Sequence, residues 1–258
     1  MTAPSFDTWL EALERRHLAD LTRPELTRAL RALSSSYVER RASIARGAAL
    51  EGAGKRAAFA LYYAPLHFLV AREVVGALHL ADQPISRVVD LGCGTGAASA
   101  GWAAEASSSG PIRAVSIDAT DRSSWAVDEA VLTYRHFEVR ARVRAAHLRQ
   151  LPLRAGAGDA VLLAYTVNEL PPDARDPLLE QLCRVAARGA AVLVIEPIAR
   201  RMNEWWADWA RALQARQDDW RFSTPVPPRL REIGRAAGLD PRELTARTLW
   251  VPGVRPKA

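Results

Sequence analysis

The segment Val88-Val89-Asp90-Leu91-Gly92-Cys93-Gly94-Thr95-Gly96 decides how this chain is read. Two β-branched residues lead to a carboxylate, and three glycines then recur at every second position, with small residues following at once. Such a run predicts a strand that feeds a tight turn, where glycine accepts positive φ and lets a ligand approach the backbone. A helix starting directly after the turn presents its unpaired N–H groups to whatever lies above it. The prediction is a strand, a shelf for a cofactor and a helix. In a dinucleotide-binding turn the glycines follow G-x-G-x-x-G, whereas here the third comes one position early and Asp90 stands two residues before the first,. An NAD-dependent oxidoreductase is thereby a distant reading.

Outward from this turn, strand and helix patterns alternate. Helical periodicity covers residues 97–106, 123–137 and 175–187, the last stopped by Gly189, and strand patterns cover residues 87–91, 112–117 and 140–146,. Residues 160–166 and 191–196 are continuously apolar, as strands buried on both faces should be,. A Trp-rich helix over 200–217, a helix over 228–237 and a strand over 243–251 complete the chain. The alternation predicts an α/β fold with a mostly parallel, doubly wound sheet. Residues 1–80 read instead as helices. Thr22 caps one that carries Pro24 and Glu25 in its first turn and Leu26, Leu30, Leu33, Tyr37 and Ile44 on one face until Gly47,. In the next, Pro65 must kink or restart the helix.

Composition excludes several classes. With 258 residues, 49% hydrophobic and 25% charged, the chain can bury a core and is neither disordered nor collagenous,. Cys93 and Cys183 are too few for a disulfide framework or a four-ligand zinc site, and no metal site is expected,. No apolar run reaches the roughly 18 residues of a membrane span and no signal peptide is visible, so a cytoplasmic setting is expected. The net charge of +6 comes almost wholly from arginine and forms no basic tail, which gives only a modest preference for an anionic partner,. Arg140, Arg142 and Arg144 alternate along the third strand and suit a solvated sheet edge,.

The Asp90 to Gly96 turn resembles motif I of class I S-adenosylmethionine (SAM) dependent methyltransferases. The resemblance implies that Asp90, Gly92, Cys93, Gly94 and Gly96 hold the methionine end of SAM. Asp118, with Ala119 beside it, then stands at the end of the second strand, where a carboxylate can accept both ribose hydroxyls of an adenosine. Residues 146–159 resemble the family's third region, with His147 and Leu148 at the adenine, although His147 replaces the acidic residue of many members. After the fourth strand come Tyr165, Thr166, Val167, Asn168, Glu169 and Leu170. Tyr165 and Asn168 are expected beside the cofactor and Glu169 at the reacting methyl group. The Asn-Pro-Pro-Tyr motif of nucleic-acid amino methyltransferases is absent.

Together with Leu30-Arg31-Ala32-Leu33-Ser34 and Ile195-Glu196-Pro197, these segments resemble the bacterial branch of the methyltransferase-like family that includes the mitochondrial small-ribosomal-subunit assembly factor. That branch's cysteine cluster and its glycine-rich continuation are missing. Tyr63 and His67, four residues apart, are further candidates for the acceptor side, where either could take a proton; Trp205, Trp206, Trp209 and Leu213 are expected to roof the sheet. The sequence thus predicts a Rossmann-like class I methyltransferase domain over residues 81–258 and an N-terminal helical lid over residues 1–80. The expected activity is SAM-dependent methyl transfer, to a small molecule rather than RNA. The alternative is an RNA-binding or ribosome-assembly protein that keeps the SAM fold without catalysis. Oligomeric state is left open.

Overall fold

The computed structural model describes residues 4–39, 50–108, 115–150, 152–198 and 204–254. Before residue 80 lie helices α1 (Phe6–His17), α2 (Arg23–Glu39), α3 (Ala53–Ala58) and α4 (Ala64–Ala77). Glu25 accepts both the N–H (2.8 Å) and the hydroxyl (2.6 Å) of Thr22, so α2 begins where expected,. Its expected continuation to Ile44 and Gly47 lies outside the described residues. Between α3 and α4 runs one π-helical turn, Phe59–Tyr63, in which the Ala64 N–H donates to the Phe59 carbonyl five residues back. Pro65 has no N–H and its ring crowds the preceding turn, and the widened turn accommodates both.

Seven strands form one sheet: β1 (Arg87–Leu91), β2 (Ser116–Asp121), β3 (Ala141–Ala145), β4 (Asp159–Ala164), β5 (Ala191–Glu196), β6 (Arg216–Phe222) and β7 (Leu244–Val251). Their order is β3-β2-β1-β4-β5-β7-β6. The first five are parallel, and β7 runs antiparallel to both β5 and β6. Helices α5 (Ala97–Ser108), α6 (Ser124–His136) and α7 (Pro172–Ala187) make the crossovers, and α8 (Trp206–Leu213) and α9 (Pro228–Ala236) flank β6.

Alternate strand residues feed two cores. Val88, Ile117, Leu162 and Leu193 pack with α4, α5 and α6, and this core continues without a break into Trp9, Leu13, Leu30 and Leu33 of α1 and α2. On the other face Val161, Leu163 and Val194 meet Leu178 and Leu182 of α7 and Trp205, Trp206 and Trp209 around α8, the expected aromatic roof. Helices α4 and α5 touch closely at Gly101, where a Cβ would press into the Phe68 carbonyl oxygen. Gly101→Ala is expected to lower stability by about 1–3 kcal/mol, the usual cost of overfilling a packed interior; an unchanged denaturant midpoint would refute this contact.

Three sequence expectations need correction. The second strand was expected over 112–117, of which 112–114 lie outside the described residues; β2 instead runs on to Asp121. Asp118 is tolerated inside it because Arg87 of the neighbouring β1 donates to its carboxylate at 3.1 Å and also pairs with Asp159 of β4 at 2.7 Å. The fourth strand ends at Ala164, not 166, because Tyr165 turns into the left-handed region with φ +59°. The Trp-rich helix, whose expected start at 200 lies outside the described residues, stops at Leu213, and Gln214 reverses the chain with φ +50°. Residues 216–222 then form β6, a polar edge strand with the stacked Trp220 and Phe222 rings 5.8 Å apart. Its side chains lack the apolar alternation that marks a half-buried strand. At the opposite edge, Arg142 and Arg144 of β3 are exposed, as a protected edge requires,.

Candidate active site

The carboxyl ends of β1, β2, β4 and β5 meet over the glycine turn, the place where open parallel sheets collect ligands. Gly92 and Gly94 adopt φ +73° and +53°. The Gly92 and Cys93 N–H groups donate to the Thr120 carbonyl at the end of β2, and the Gly94 N–H donates to the Asp121 carboxylate at 2.9 Å. A Cβ on Gly92 would lie 2.5 Å from Cγ2 of Thr166, whose hydroxyl ties the turn after β4 to the Leu91 carbonyl at 3.0 Å. A Cβ on Gly94 would instead enter the space facing Phe59, 3.7 Å from its ring. Beneath the turn Asp90 accepts a hydrogen bond from Ser99, which also bonds the Tyr134 hydroxyl. Burial pushes Asp90 up to about 7, against the Ser99 bond that favours its charged form,.

Above the turn opens a cavity of about 770 Å³. Of the expected cofactor residues, Asp90, Gly92, Cys93, Gly94, His147, Leu148 and Tyr165 line it. Gly96 lies outside the lining, where a Cβ would strike the Tyr134 ring. Asp118 and Ala119 do not reach the cavity. Asp118 is engaged by Arg87, Ala119 is fully buried in the first core, and the carboxylate at the tip of β2 is Asp121. Asp121 also accepts the Ser123 N–H at 2.8 Å, a two-residue pattern typical of helix starts that was visible in Asp121-Arg122-Ser123,.

A second cavity, about 250 Å³, adjoins the first and shares His67, Tyr165 and Glu169 with it. Tyr63, Asn168 and Glu196 line it too, so the structure brings together the helical candidates and the strand ends. The His67 and Tyr165 rings stack 3.7 Å apart at 12°, and Phe59 meets His67 edge-on. This enclosure pushes His67 down to about 3, so it is neutral at physiological pH, and burial raises the Tyr63 phenol,. Tyr62, the other tyrosine of the π turn, packs against Gly234 instead.

Asn168 does not face the glycine turn. Its side-chain amide donates to Glu196 at 2.9 Å and accepts from the Trp205 indole at 2.9 Å, while the Val167 and Asn168 N–H groups also donate to Glu196. Burial pushes Glu196 up to about 8, against these donors. Glu169, next in the chain, turns into both cavities, and burial together with the nearby charge of Asp121 pushes it up to about 7. Raised carboxyls hold protons in the folded chain that they lose on unfolding between their ordinary value and the raised one, so their contribution to stability falls as pH rises through that window. With Asp90, Glu169 and Glu196 all raised, the thermal midpoint is expected to be higher at pH 5 than at pH 8, as calorimetry over that range can check.

Residues 88–189 match the family model described as "Methyltransferase domain". No curated protein matches the chain in sequence. Among solved structures, the methyltransferase domain of bacterial CtHen1 is similar at TM-score 0.50 and 14% identity, over 72% of this chain and 99% of that one. Magnesium protoporphyrin IX methyltransferase from Synechocystis PCC 6803, with bound SAM, is similar at 0.49 and 19%, over 74% and 80%. The N-methyltransferase NodS from Bradyrhizobium japonicum WM9, in complex with S-adenosylhomocysteine, is similar at 0.47 and 11%, over 70% and 85%. The fold is that of class I SAM-dependent methyltransferases, as the glycine turn predicted. No helix among the described residues is long and apolar enough to cross a membrane, and no group of three or more metal-ligating side chains occurs among them.

Proposed function

We propose that the chain is a SAM-dependent methyltransferase that modifies a small molecule held in the cavity beside Glu169. The observation that carries this reading is the junction of the two cavities, where the Glu169 carboxyl, without a hydrogen bond from any described residue, opens onto both. SAM is the cofactor, and the residues present fit it. The larger cavity has room for it, the open side of Gly94 is a space that any Cβ would fill, and Asp121 presents a carboxylate to the same space. The Gly92 to Gly94 backbone and the start of α5 would hold the methionine end, Asp121 the ribose hydroxyls, and His147 and Leu148 the adenine. When bound, SAM supplies an electrophilic methyl carbon on a positively charged sulfur.

The chain's own residues position and enclose. His67 and Tyr165 line both spaces, with Phe59 against His67 on the larger side, and displacement reactions gain most from such alignment and from exclusion of water,. Glu169, with its raised value near neutrality, is suited to take a proton from the acceptor. Asn168 and Glu196 fix the turn that carries Glu169; Tyr63 lines the acceptor side. We place this activity in the cytoplasm, consistent with the free thiols of Cys93 and Cys183,. The exposed Arg142 and Arg144 favour a second reading, the RNA-binding or ribosome-assembly role of the resembled branch,. Calorimetry with SAM, S-adenosylhomocysteine and NAD tests the proposal: the first two should bind in the low-micromolar range and NAD not at all. Salt-dependent RNA binding without any methyl transfer would support the second reading instead.

A further inference from the structure

The smaller cavity is walled by aromatic rings and carboxyls, and among the described residues no arginine or lysine lines it. Tyr63, His67 and Tyr165 supply the rings, and Leu66, Val70 and Leu244 add apolar surface. The carboxyl groups among the described lining residues are Glu169 at the junction, Glu196 at the base and Glu243 at the rim. Their partners differ. Glu196 is saturated by Val167 and Asn168, and Glu243 is paired with Arg221 at 3.0 Å. The Glu169 carboxyl, on a half-buried side chain, accepts no hydrogen bond from any described residue and opens onto both cavities. Among the described residues, the titratable and charged groups facing Glu169 are Asp121 at the tip of β2, Arg122 just after it and Glu196 of β5, and the flanking His67 of α4 is neutral.

We propose that this cavity takes a compact nitrogen base, a primary or secondary amine, as the methyl acceptor, with Glu169 receiving its N–H. This rests on the reading of the larger cavity as the SAM site. An acceptor carboxylate or phosphate would place its negative charge beside the Glu169 carboxylate with no cation among the described lining residues to offset it, whereas an amine meets a carboxyl and the electron-rich faces of Tyr63 and Tyr165,. The cavity's volume of about 250 Å³ suits a compact ligand,. In the transfer, the nitrogen lone pair forms a bond to the methyl carbon while the sulfur–methyl bond breaks and leaves its electron pair on sulfur. The N–H proton of the resulting ammonium passes to the Glu169 carboxylate. The sulfonium and carboxylate charges are both lost, and the products are the thioether, the N-methylamine and a neutral carboxyl.

The test uses the full chain and a matched pair of probes, tyramine and 3-(4-hydroxyphenyl)propionate, of nearly equal shape and opposite charge. Calorimetry is first run with S-adenosylhomocysteine alone, and the probes are then titrated into the saturated protein. The amine should bind at least tenfold more tightly than the acid, and Glu169→Gln should reduce the difference to threefold or less while Glu243→Gln, at the rim, leaves most of it. Equal binding of the two probes, tighter binding of the acid, or no amine binding up to millimolar concentration overturns the amine assignment. Failure of S-adenosylhomocysteine itself to bind would instead overturn the reading of the larger cavity. A chain in which the amine preference survives Glu169→Gln assigns the selectivity elsewhere and removes Glu169 from the proposal.

Discussion

Asp121→Ala is expected to weaken S-adenosylhomocysteine binding by about 10²-fold, near 3 kcal/mol, whereas Asp118→Ala should leave it within about threefold. Asp121 stands at the tip of β2, lines the larger cavity and accepts the Gly94 N–H. Its removal takes away the carboxylate for two ribose hydroxyls and also releases the glycine turn, and hydrogen bonds to a charged group are each worth roughly 1.5–3 kcal/mol. Asp118 lies three residues earlier, outside the cavity lining, and its partner is Arg87. Arg87 keeps Asp159 in that variant, and the pair with Asp118 is partly solvated, so the expected stability loss is about 1 kcal/mol or less,. Equal losses of affinity in both variants, measured by calorimetry, would refute this assignment of the ribose carboxylate.

Glu169→Gln should lower turnover by about 10²-fold and leave S-adenosylhomocysteine affinity within threefold. The change is nearly isosteric, and the turn carrying residue 169 is fixed independently by the Val167 and Asn168 donors to Glu196. What is lost is a proton acceptor, a contribution typically of 10²–10⁴-fold. Because burial raises Glu169 to about 7, wild-type turnover should rise with pH through that value as the carboxyl ionises, and the glutamine variant should lack this rise. Asn168→Ala makes the contrast. It removes the links to Glu196 and Trp205, so its main effect should be a stability loss of roughly 1–3 kcal/mol,. Wild-type turnover in Glu169→Gln, or an unchanged pH profile, would exclude the role given to this carboxyl.

The sequence alone determined the glycine turn, the parallel strands around it and the helical front, because each depends on short-range sterics or on periodicity within one element. Gly92 and Gly94 need positive φ whatever surrounds them, and the apolar runs of β4 and β5 can only be buried on both faces,. It also marked Glu169, His67 and Tyr63 as chemically able. Tertiary structure decided the rest. Which aspartate ends β2 depends on a pairing register with β1 and on Arg87, which makes Asp118 tolerable inside a strand. Residues 216–222 became a strand only by pairing with β7, since their polar side chains carry no strand period,. The separation of roles between Asn168 and Glu169 was equally invisible: both follow β4, but Glu196 and Trp205, contributed from far along the chain, engage the amide and leave the carboxylate facing the cavities. Local sterics act between neighbours in sequence, whereas burial and hydrogen-bond partners arise only once distant segments meet.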